Sequence, residues 1–444
     1  MTYDVDAVIV GAGVAGLAAA GALRRAGARC VVLEAGGRIG GRAFTDHPAA
    51  LGGAPFDHGA SWLHAAERNP LAPLARQAGV ALHQTGGDWT RYVLIDGRRA
   101  EPPEIDAYNA AWERFEATAR ARAASGPDIA LPDISLDEAA AGMRDDPWLA
   151  TIATWEASLI AAADPRDLSV RDWHLNELSG GNLRVEGGLG TMVARVLGPP
   201  AGEVRLGAPV RGIVWDRPGG GVEVTSDAGR LTARAAIVTV STGVLRAGGI
   251  GFFPALPEAR RAALDGLPMG LLSKVALRAA GADRLDLPPG TSLYRRLADP
   301  AEPAMFFNLW SQEQPLAIGF YGGRAAWALA RQGEAAIAAF ARAELHRLLG
   351  PRAATAFAPE VVVTRWGTDP AFLGAYAYAT PGAVAARAAM DAPLSDSLWF
   401  AGEAWCSDGL AGTVGGAFLS GERAAASVAA TLGLTVPKPS GSPG

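Results

Sequence analysis

The chain has 444 residues, of which 49% are hydrophobic and 19% are charged. This length predicts two or three domains, or one large α/β domain with a second domain inserted into it. A formal net charge of −5 excludes the basic surface that nucleic acid binding requires, and two cysteines cannot form a disulfide framework. No stretch approaches the roughly 18 apolar residues of a membrane span.

The N-terminus has Asp4 and Asp6 where a signal peptide would need a basic start, so we expect a cytoplasmic protein. The six histidines form no paired ligand motif, so we expect no metal. At the other end, a stretch rich in Pro, Gly and Ser predicts a disordered tail over residues 435–444. The sequence contains no signal for an oligomeric state.

The first predicted element is an apolar strand over residues 7–10, which runs directly into Gly11-Ala12-Gly13-Val14-Ala15-Gly16. A helix to about residue 26 and a second strand over residues 30–33 follow, and the second strand ends in Glu34. This is the dinucleotide-binding fingerprint in its required context. The first glycine makes the turn, the second admits the pyrophosphate, the third packs helix on strand, and the acid binds the ribose.

Further elements follow in chain order. Strands are predicted over residues 204–208, 210–215, 222–225 and 231–233, a separate strand begins at residue 236, and two more cover residues 305–309 and 316–321. The periodicity predicts a helix over residues 333–349. Residues 397–403 predict a strand that ends in Glu403, and the glycine-rich turn at residues 412–417 opens a last helix. Such a turn presents a nest of N–H groups.

Lys274 lies in an apolar stretch, residues 271–277, that predicts a strand. Only two of the 40 basic residues are lysine, the other being Lys438 in the tail. Lysine is a compact charge whose pKa burial can lower, whereas arginine stays charged. The position therefore indicates either a task that requires an ammonium group or a lysine whose stem packs on the core while its head reaches solvent.

Several segments occur in an order that resembles one known family. The segments are residues 36–42 (GGRIGGR), 56–64 (FDHGASWLH), 185–190 (VEGGLG), 366–370 with 374–376 (WGTDP and GAY), and 412–417 (GTVGGA). They resemble the flavin-containing amine oxidases, which include monoamine oxidases, polyamine oxidases and lysine-specific histone demethylases. The motifs are most similar to those of bacterial polyamine- or monoamine-oxidase-like proteins.

The resemblance implies FAD as the cofactor. Monoamine oxidases attach it through a cysteine where this chain has Ala375, so we expect non-covalent binding. The resemblance assigns cofactor binding to Gly11, Gly13, Ala15, Gly16, Glu34, Ala35, Arg38, Gly41, Arg42, Gly59, Ala60, Ser61, Trp62, Val210, Trp366, Gly402, Glu403, Thr413 and Val414.

The resemblance also assigns the catalytic residues. Lys274 corresponds to the lysine that holds a water against flavin N5, and Tyr376 to one wall of an aromatic cage for the amine. Thr413 replaces the second cage tyrosine of monoamine oxidases. Trp62, His64, Thr413 and Glu177 are the expected substrate-binding residues. Asp88 and Glu156 are weaker candidates for binding a remote ammonium group, and all three acids could instead be solvated surface residues.

We therefore predict a mixed α/β protein of two interleaved domains. Residues 1–82, 182–267 and 394–434 form a Rossmann-like FAD-binding domain, and residues 83–181, predicted to be mostly helical, and 268–393 form a substrate-binding domain. By resemblance, the enzyme oxidises a small amine or polyamine by hydride transfer to the flavin, giving an imine and then an aldehyde, while O₂ becomes peroxide. The alternatives are a desaturase or protoporphyrinogen-oxidase-like enzyme and a non-catalytic flavoprotein.

Overall fold

The computed structural model describes residues 2–85, 91–124, 132–311 and 314–437. Most of the predicted disordered tail, from Lys438 onward, lies outside these ranges, and so does the candidate acid Asp88. The strands are β1 (Val5–Val10), β2 (Cys30–Leu33), β3 (Thr45–Asp46), β4 (Phe56–Asp57), β5 (Trp62–Leu63), β6 (Leu82–Thr85), β7 (Arg91–Ile95), β8 (Arg98–Arg99), β9 (Asn182–Val185), β10 (Val204–Arg205), β11 (Val210–Val214), β12 (Val222–Ser226), β13 (Gly229–Val238), β14 (Gly251–Phe253), β15 (Leu272–Ala279), β16 (Thr291–Arg295), β17 (Phe306–Leu309), β18 (Leu316–Gly322), β19 (Phe357–Val363) and β20 (Leu398–Phe400).

The helices are α1 (Val14–Arg25), α2 (Leu71–Gln77), α3 (Pro102–Ala123), α4 (Leu136–Ala139), α5 (Leu149–Ala153), α6 (Val170–Leu175), α7 (Leu189–Ala201), α8 (Thr242–Arg246), α9 (Glu258–Asp265), α10 (Gly323–Gln332), α11 (Glu334–Leu349), α12 (Ala353–Ala356), α13 (Ala386–Asp391) and α14 (Val414–Thr431). A π-helix spans Thr154–Leu159. Among the described residues, no helix combines the length and apolar content needed to cross a membrane.

An eight-stranded sheet has the order β10-β2-β1-β13-β12-β11-β14, with β20 also paired to β13. β1 lies in parallel between β2 and β13, in the register Val8–Val31 and Val8–Ala236. These central strands are continuous apolar runs because helices cover both faces of a parallel sheet. On one face α1 packs against α14 so closely that a Cβ on Gly421 would lie 2.2 Å from the Ala15 carbonyl oxygen.

A second sheet has seven strands in the order β19-β15-β18-β17-β16-β7-β8. Its β15 lies antiparallel to both β18 and β19, and Lys274 stands opposite Phe320 of β18. The expectation that the first part of the substrate domain is mostly helical missed β7 and β8. β7 joins this sheet in parallel beside β16, so its partner is almost 200 residues away in sequence.

The predicted separation of strands at residues 231–233 and 236 is wrong, because β13 runs unbroken from Gly229 to Val238. Its first half pairs with β12 and its second half with β20, so one strand changes partner along its length. The predicted fold class, mixed α/β, is confirmed. The domain limits stay a prediction, and the limit at residues 82 and 83 falls inside β6, which pairs with β9.

Asp172 of α6 and Arg387 of α13 form a buried ion pair with 2.7 Å between Oδ2 and Nη2. Arg387 also donates to the Ala404 carbonyl oxygen at 2.8 Å. Removing one member of such a pair leaves an uncompensated buried charge. The pair therefore fixes α6 and α13 to the chain that follows β20.

Candidate active site

A cavity of about 870 Å³ lies between the two large sheets. At the β1–α1 turn its lining includes Gly11 and Gly13, and near α3, α6 and the π-helix it includes Trp112, Trp155 and Trp173. Of the predicted site residues, the lining contains Gly11, Gly13, Ala15, Glu34, Ala35, Gly41, Arg42, Gly59, Ala60, Ser61, Trp62, His64, Glu177, Val210, Lys274, Trp366, Tyr376, Gly402, Glu403, Thr413 and Val414. Gly16 and Arg38 do not line the cavity, but each contacts a glycine that does.

Different physical constraints require glycine at the different positions of the β1–α1 turn. Gly11 has φ +103°, a conformation that side chains other than glycine rarely adopt, and a Cβ on Gly16 would lie 1.9 Å from the Gly11 carbonyl oxygen. A Cβ on Gly13 would have its nearest neighbour 4.0 Å away, so that position is open to the cavity. The N-terminus of α1 has no side-chain cap, which leaves its N–H groups available to a phosphate.

Glu34 is held at the end of β2 by main-chain donors. Its Oε2 accepts the Ala12 N–H and its Oε1 accepts the Gly36 N–H, each at 2.7 Å. Each oxygen keeps lone pairs for the hydroxyls of a ribose. Arg38 donates to the Gly41 carbonyl oxygen at 2.7 Å and stacks on Phe44 with 3.8 Å from Cζ to the ring centroid. It therefore supports the second glycine turn from outside the cavity.

Arg42 and Glu403 meet at the cavity wall with 3.0 Å between Nη1 and Oε1. The ion pair is not oriented as a hydrogen bond, so within the described residues Arg42 Nη1 and Glu403 Oε2 are buried polar atoms that form no hydrogen bond. Such atoms require a partner, and the hydroxyl and phosphate groups of a dinucleotide supply both acceptors and donors. Together with the open turn at Gly13 and the carboxylate of Glu34, these atoms fit FAD.

The segment after β4 packs tightly against the second glycine turn. A Cβ on Gly59 would lie 1.8 Å from the Arg42 carbonyl oxygen, so only glycine permits this approach. Trp366 is 5% exposed and donates from Nε1 to the His58 carbonyl oxygen at 3.0 Å. Trp366 thereby holds the same segment from the other side.

Lys274 is a buried ammonium group, with 4% of the residue exposed. Its Nζ donates to the carbonyl oxygens of Asp57 at 2.8 Å and Gly59 at 2.5 Å, and to Ser61 Oγ at 2.5 Å. It lies 5.9 Å from the centroid of the Trp62 ring and 5.5 Å from that of Phe320. The alternative of a lysine whose head reaches solvent is therefore wrong.

Burial lowers the pKa of Lys274 to about 7, the charge of Asp57 opposes this shift, and the charge of Arg184 adds to it. The three oxygen acceptors favour the charged form. The amine can therefore change its charge near neutral pH, which an arginine at the same position could not do.

Tyr376 and Thr413 face the cavity from the chain segments on either side of β20. A Cβ on Gly412 would lie 2.8 Å from Tyr376 Cδ2, so the ring packs directly on that turn. The Tyr376 hydroxyl donates to the Ile160 carbonyl oxygen. Thr413 Oγ1 accepts the Gly416 N–H at 3.0 Å and donates to the Leu410 carbonyl oxygen at 2.7 Å. The threonine hydroxyl thus caps α14.

His64 and Trp62 stack with ring centroids 6.0 Å apart. His64 Nδ1 is 2.7 Å from Asn182 Oδ1, so that nitrogen carries the proton. Burial lowers the pKa of His64, while the hydrogen bond to Asn182 opposes the shift. His64 is therefore a neutral imidazole at the cavity wall.

Glu177 reaches the cavity lining already paired. Its carboxylate accepts from Arg120 Nε at 3.0 and 3.2 Å and also from Nη2. This pairing lowers the pKa of Glu177. The charge predicted to bind an ammonium group is thus largely neutralised by Arg120.

Glu156 is a weaker candidate than Glu177 for binding an ammonium group when the sequence alone is considered. It lies on the π-helix, and its Oε2 accepts the Trp173 Nε1–H at 3.0 Å. Burial raises the pKa of Glu156 to about 7, and the charges of Glu116 and Glu177 add to the shift. Within the described residues it has no cationic partner. The reading of Glu156 as a solvated surface acid is therefore wrong.

An aromatic wall surrounds this carboxylate and was not predicted. Its members line the cavity and come from separate elements: Trp112, Trp155, Trp173, Tyr294 and Phe306. Trp155 lies with its ring centroid 5.9 Å from Trp112 and 5.4 Å from Phe306. No local motif joins these positions, since they meet only through the fold.

Comparisons with known proteins show the family to which the chain belongs. A family model described as flavin containing amine oxidoreductase matches residues 14–429. Probable polyamine oxidase 4 of Arabidopsis thaliana is 31% identical over 434 residues, which cover 93% of this chain and 85% of that protein. Polyamine oxidase 3 of Oryza sativa subsp. japonica is 31% identical over 446 residues, with coverages of 96% and 89%.

The structure of a putrescine oxidase bound to putrescine superimposes with a TM-score of 0.77 at 23% identity, covering 96% of this chain and 99% of that one. The fold is therefore shared. The chain belongs to the flavin-containing amine oxidoreductase family. It is an FAD-dependent oxidoreductase that acts on amines, which confirms the predicted family, cofactor and class of reaction.

Proposed function

We propose that the enzyme oxidises a diamine or polyamine, with one nitrogen at the Lys274 side of the cavity and a second, charged nitrogen at Glu156. The observation that carries this proposal is a carboxylate that has no cationic partner among the residues the structure describes and that lies in a tryptophan-lined part of the cavity. Asp172 and Glu177 line the same cavity but are neutralised by Arg387 and Arg120. An ammonium group near Glu156 would gain both charge pairing and contact with ring faces.

FAD, when bound, accepts a hydride from the carbon next to the reacting nitrogen. That nitrogen must be neutral, because its lone pair drives the electrons out. The apolar cavity wall formed by Tyr376, Trp62 and Phe320 disfavours an ammonium group at that end. Lys274, with its pKa lowered to about 7 by burial, can take up a proton there. The Lys274 end of the cavity thus favours the neutral form of one nitrogen, and the Glu156 end favours the charged form of the other.

We propose O₂ as the electron acceptor, with peroxide as its product. Lys274 supports this because a fixed cation in a water-poor site stabilises negative charge that develops on oxygen. Release of peroxide during turnover, measured with a coupled peroxidase, is the expected result.

We propose non-covalent binding of FAD. Ala375 has no nucleophile, and neither cysteine belongs to the cavity lining. Burial raises the pKa of the Cys406 thiol, and it raises the pKa of the Cys30 thiol to about 11. Both shifts disfavour the reactive thiolate. Acid precipitation should leave the flavin in the supernatant, and a yellow pellet would contradict this proposal.

Glu156→Gln tests the substrate proposal. We expect kcat/KM for putrescine or spermidine to fall about 10- to 100-fold, because a hydrogen bond to a charged group is lost. For benzylamine, which has no second nitrogen, we expect a change of less than about threefold. Glu186→Gln removes an exposed acid, and we expect it to behave as wild type. Equal losses for diamine and monoamine would contradict the assignment of Glu156.

The same carboxylate predicts a pH dependence. The pKa of Glu156 is raised to about 7, so the group is protonated and uncharged below that pH. We therefore expect KM for a diamine to rise as the pH falls through about 7, and this rise to disappear in Glu156→Gln. Benzylamine serves as the control substrate, since its KM should lack this step.

A further inference from the structure

Arg184 occupies a fixed place beside the active site. It lies in β9, in register with Trp62 of β5 and with His83 of β6. Residues directly opposite each other on antiparallel strands project to the same face. The guanidinium accordingly lies against the Trp62 indole, with Cζ 5.0 Å from the ring centroid.

The Trp62 indole therefore has two cationic neighbours, since Lys274 Nζ lies 5.9 Å from the same centroid. Neither cation forms an ion pair with any of the residues that the structure describes. The negative charge of Asp57 acts on both and opposes the shift in each. Because both cations lie against the same indole, the permanent charge of Arg184 disfavours the charged form of Lys274.

Burying the charge of Arg184 costs free energy, and packing against Trp62 does not by itself require a charged side chain. Burial lowers the pKa of Arg184, which means that part of its hydration is lost. A neutral side chain of similar length could cover the indole without that loss. What the guanidinium adds is a permanent positive charge, because arginine does not release its proton in the neutral range.

The surroundings of Lys274 leave few other groups to set its charge. From the segment at β4 it faces the carbonyl oxygen of Asp57 and the ring of His58, whose pKa is lowered by burial. From β18 it faces Phe320, and after β19 its own backbone pairs with Thr364. Within the described residues, Arg184 is the cation whose charge lowers the pKa of Lys274.

We propose that Arg184 is a positioning residue for the reaction: its fixed charge lies against the same Trp62 indole as Lys274 and adds to burial in favouring the neutral form of that lysine. The inference rests on the proposed role of Lys274. It extends that role to a residue that does not line the cavity and that no motif in the sequence marks.

The test uses the small number of lysines. Labelling the flavin-loaded enzyme with lysine enriched in ¹³C at Cε gives two signals, and Lys274→Met identifies the signal of Lys274. Its shift against pH reports the protonation of the amine directly, without turnover. Arg184→Met keeps a stem against Trp62 and removes the charge, Arg184→Lys keeps the charge, and Arg230→Met removes an exposed charge away from the cavity lining as the control.

We expect the midpoint of Lys274 to rise by about one pH unit in Arg184→Met, because a nearby positive charge has been removed. Arg184→Lys and Arg230→Met should leave it near the wild-type value. An unmoved midpoint in Arg184→Met would overturn the inference. Should Arg184→Met bind no flavin, Arg184→Gln gives the same titration with a polar stem.

A kinetic measurement separates this inference from the proposed function. With benzylamine, which has no second nitrogen for Glu156 to bind, the pH limb of anaerobic flavin reduction near pH 7 should follow the midpoint of Lys274 in each variant and vanish in Lys274→Met. A limb that persists in Lys274→Met would overturn the role of Lys274 and with it the inference. A limb that vanishes in Lys274→Met but stays in place in Arg184→Met would overturn the inference alone.

Discussion

Composition alone singles out Lys274, because almost all the other positively charged residues of the chain are arginine. The structure explains the choice in physical terms. Three oxygens of the segment after β4 surround one compact ammonium group, a geometry that a planar guanidinium with its fixed fork could not adopt. Its burial also lowers its pKa to about 7.

Lys274→Met removes this charge and keeps a side chain of similar length. We expect the variant to bind FAD and stay yellow, since the open turn at Gly13 and the carboxylate of Glu34 are unchanged. Flavin reduction or reoxidation should slow about 10²- to 10³-fold, the usual effect of losing a group that stabilises developing charge. Stopped-flow rates equal to wild type for both half-reactions would remove Lys274 from the mechanism.

The environment of Glu156 could not be predicted from the residues next to it in sequence. Its neighbours in sequence, Trp155 and Ala157, distinguish it little from a surface acid. Its environment comes from Trp112 and Trp173, which lie 44 residues before and 17 residues after it in the numbering. Burial and the lack of a cationic partner are therefore properties of the fold. Glu177, which the sequence favoured, turned out to be paired with Arg120 for the same reason.

At the scale of elements, the β1–α1 turn was predicted closely because its chemistry is local. Each glycine is required either by a close contact with a residue nearby in sequence or by the space that the phosphate needs. β7 was missed because its pairing partner β16 is distant in sequence, and β13 was divided because a change of partner along a strand leaves no break in its own apolar pattern.

The turn gives a matched pair of variants. A side chain at Gly13 meets nothing nearer than 4.0 Å, whereas one at Gly16 meets the Gly11 carbonyl oxygen at 1.9 Å. We expect Gly13→Val to fold and lose its flavin, and Gly16→Val to lose soluble protein as well. Flavin absorbance per mole of purified protein and circular dichroism measure the two effects. Normal flavin content in Gly13→Val would contradict a pyrophosphate site at this turn.

At the scale of the whole molecule, the cavity is built from both large sheets and from segments spread over nearly the full chain. The cofactor part follows from motifs, so the sequence predicted most of its residues. The substrate part is assembled from β15, β18, α3, α6 and the π-helix, which meet only after folding. Its aromatic wall and the charge of Arg184 therefore had no counterpart in the sequence pattern.

The proposed cavity brings an amine to the flavin beside Lys274 and holds a second nitrogen at Glu156. The most direct test mixes the oxidised, FAD-loaded enzyme with putrescine, spermidine or benzylamine in the absence of oxygen and follows the flavin absorbance. We expect the diamine and the polyamine to bleach the flavin, at lower concentrations than benzylamine. A flavin that stays fully oxidised with every amine would contradict the account.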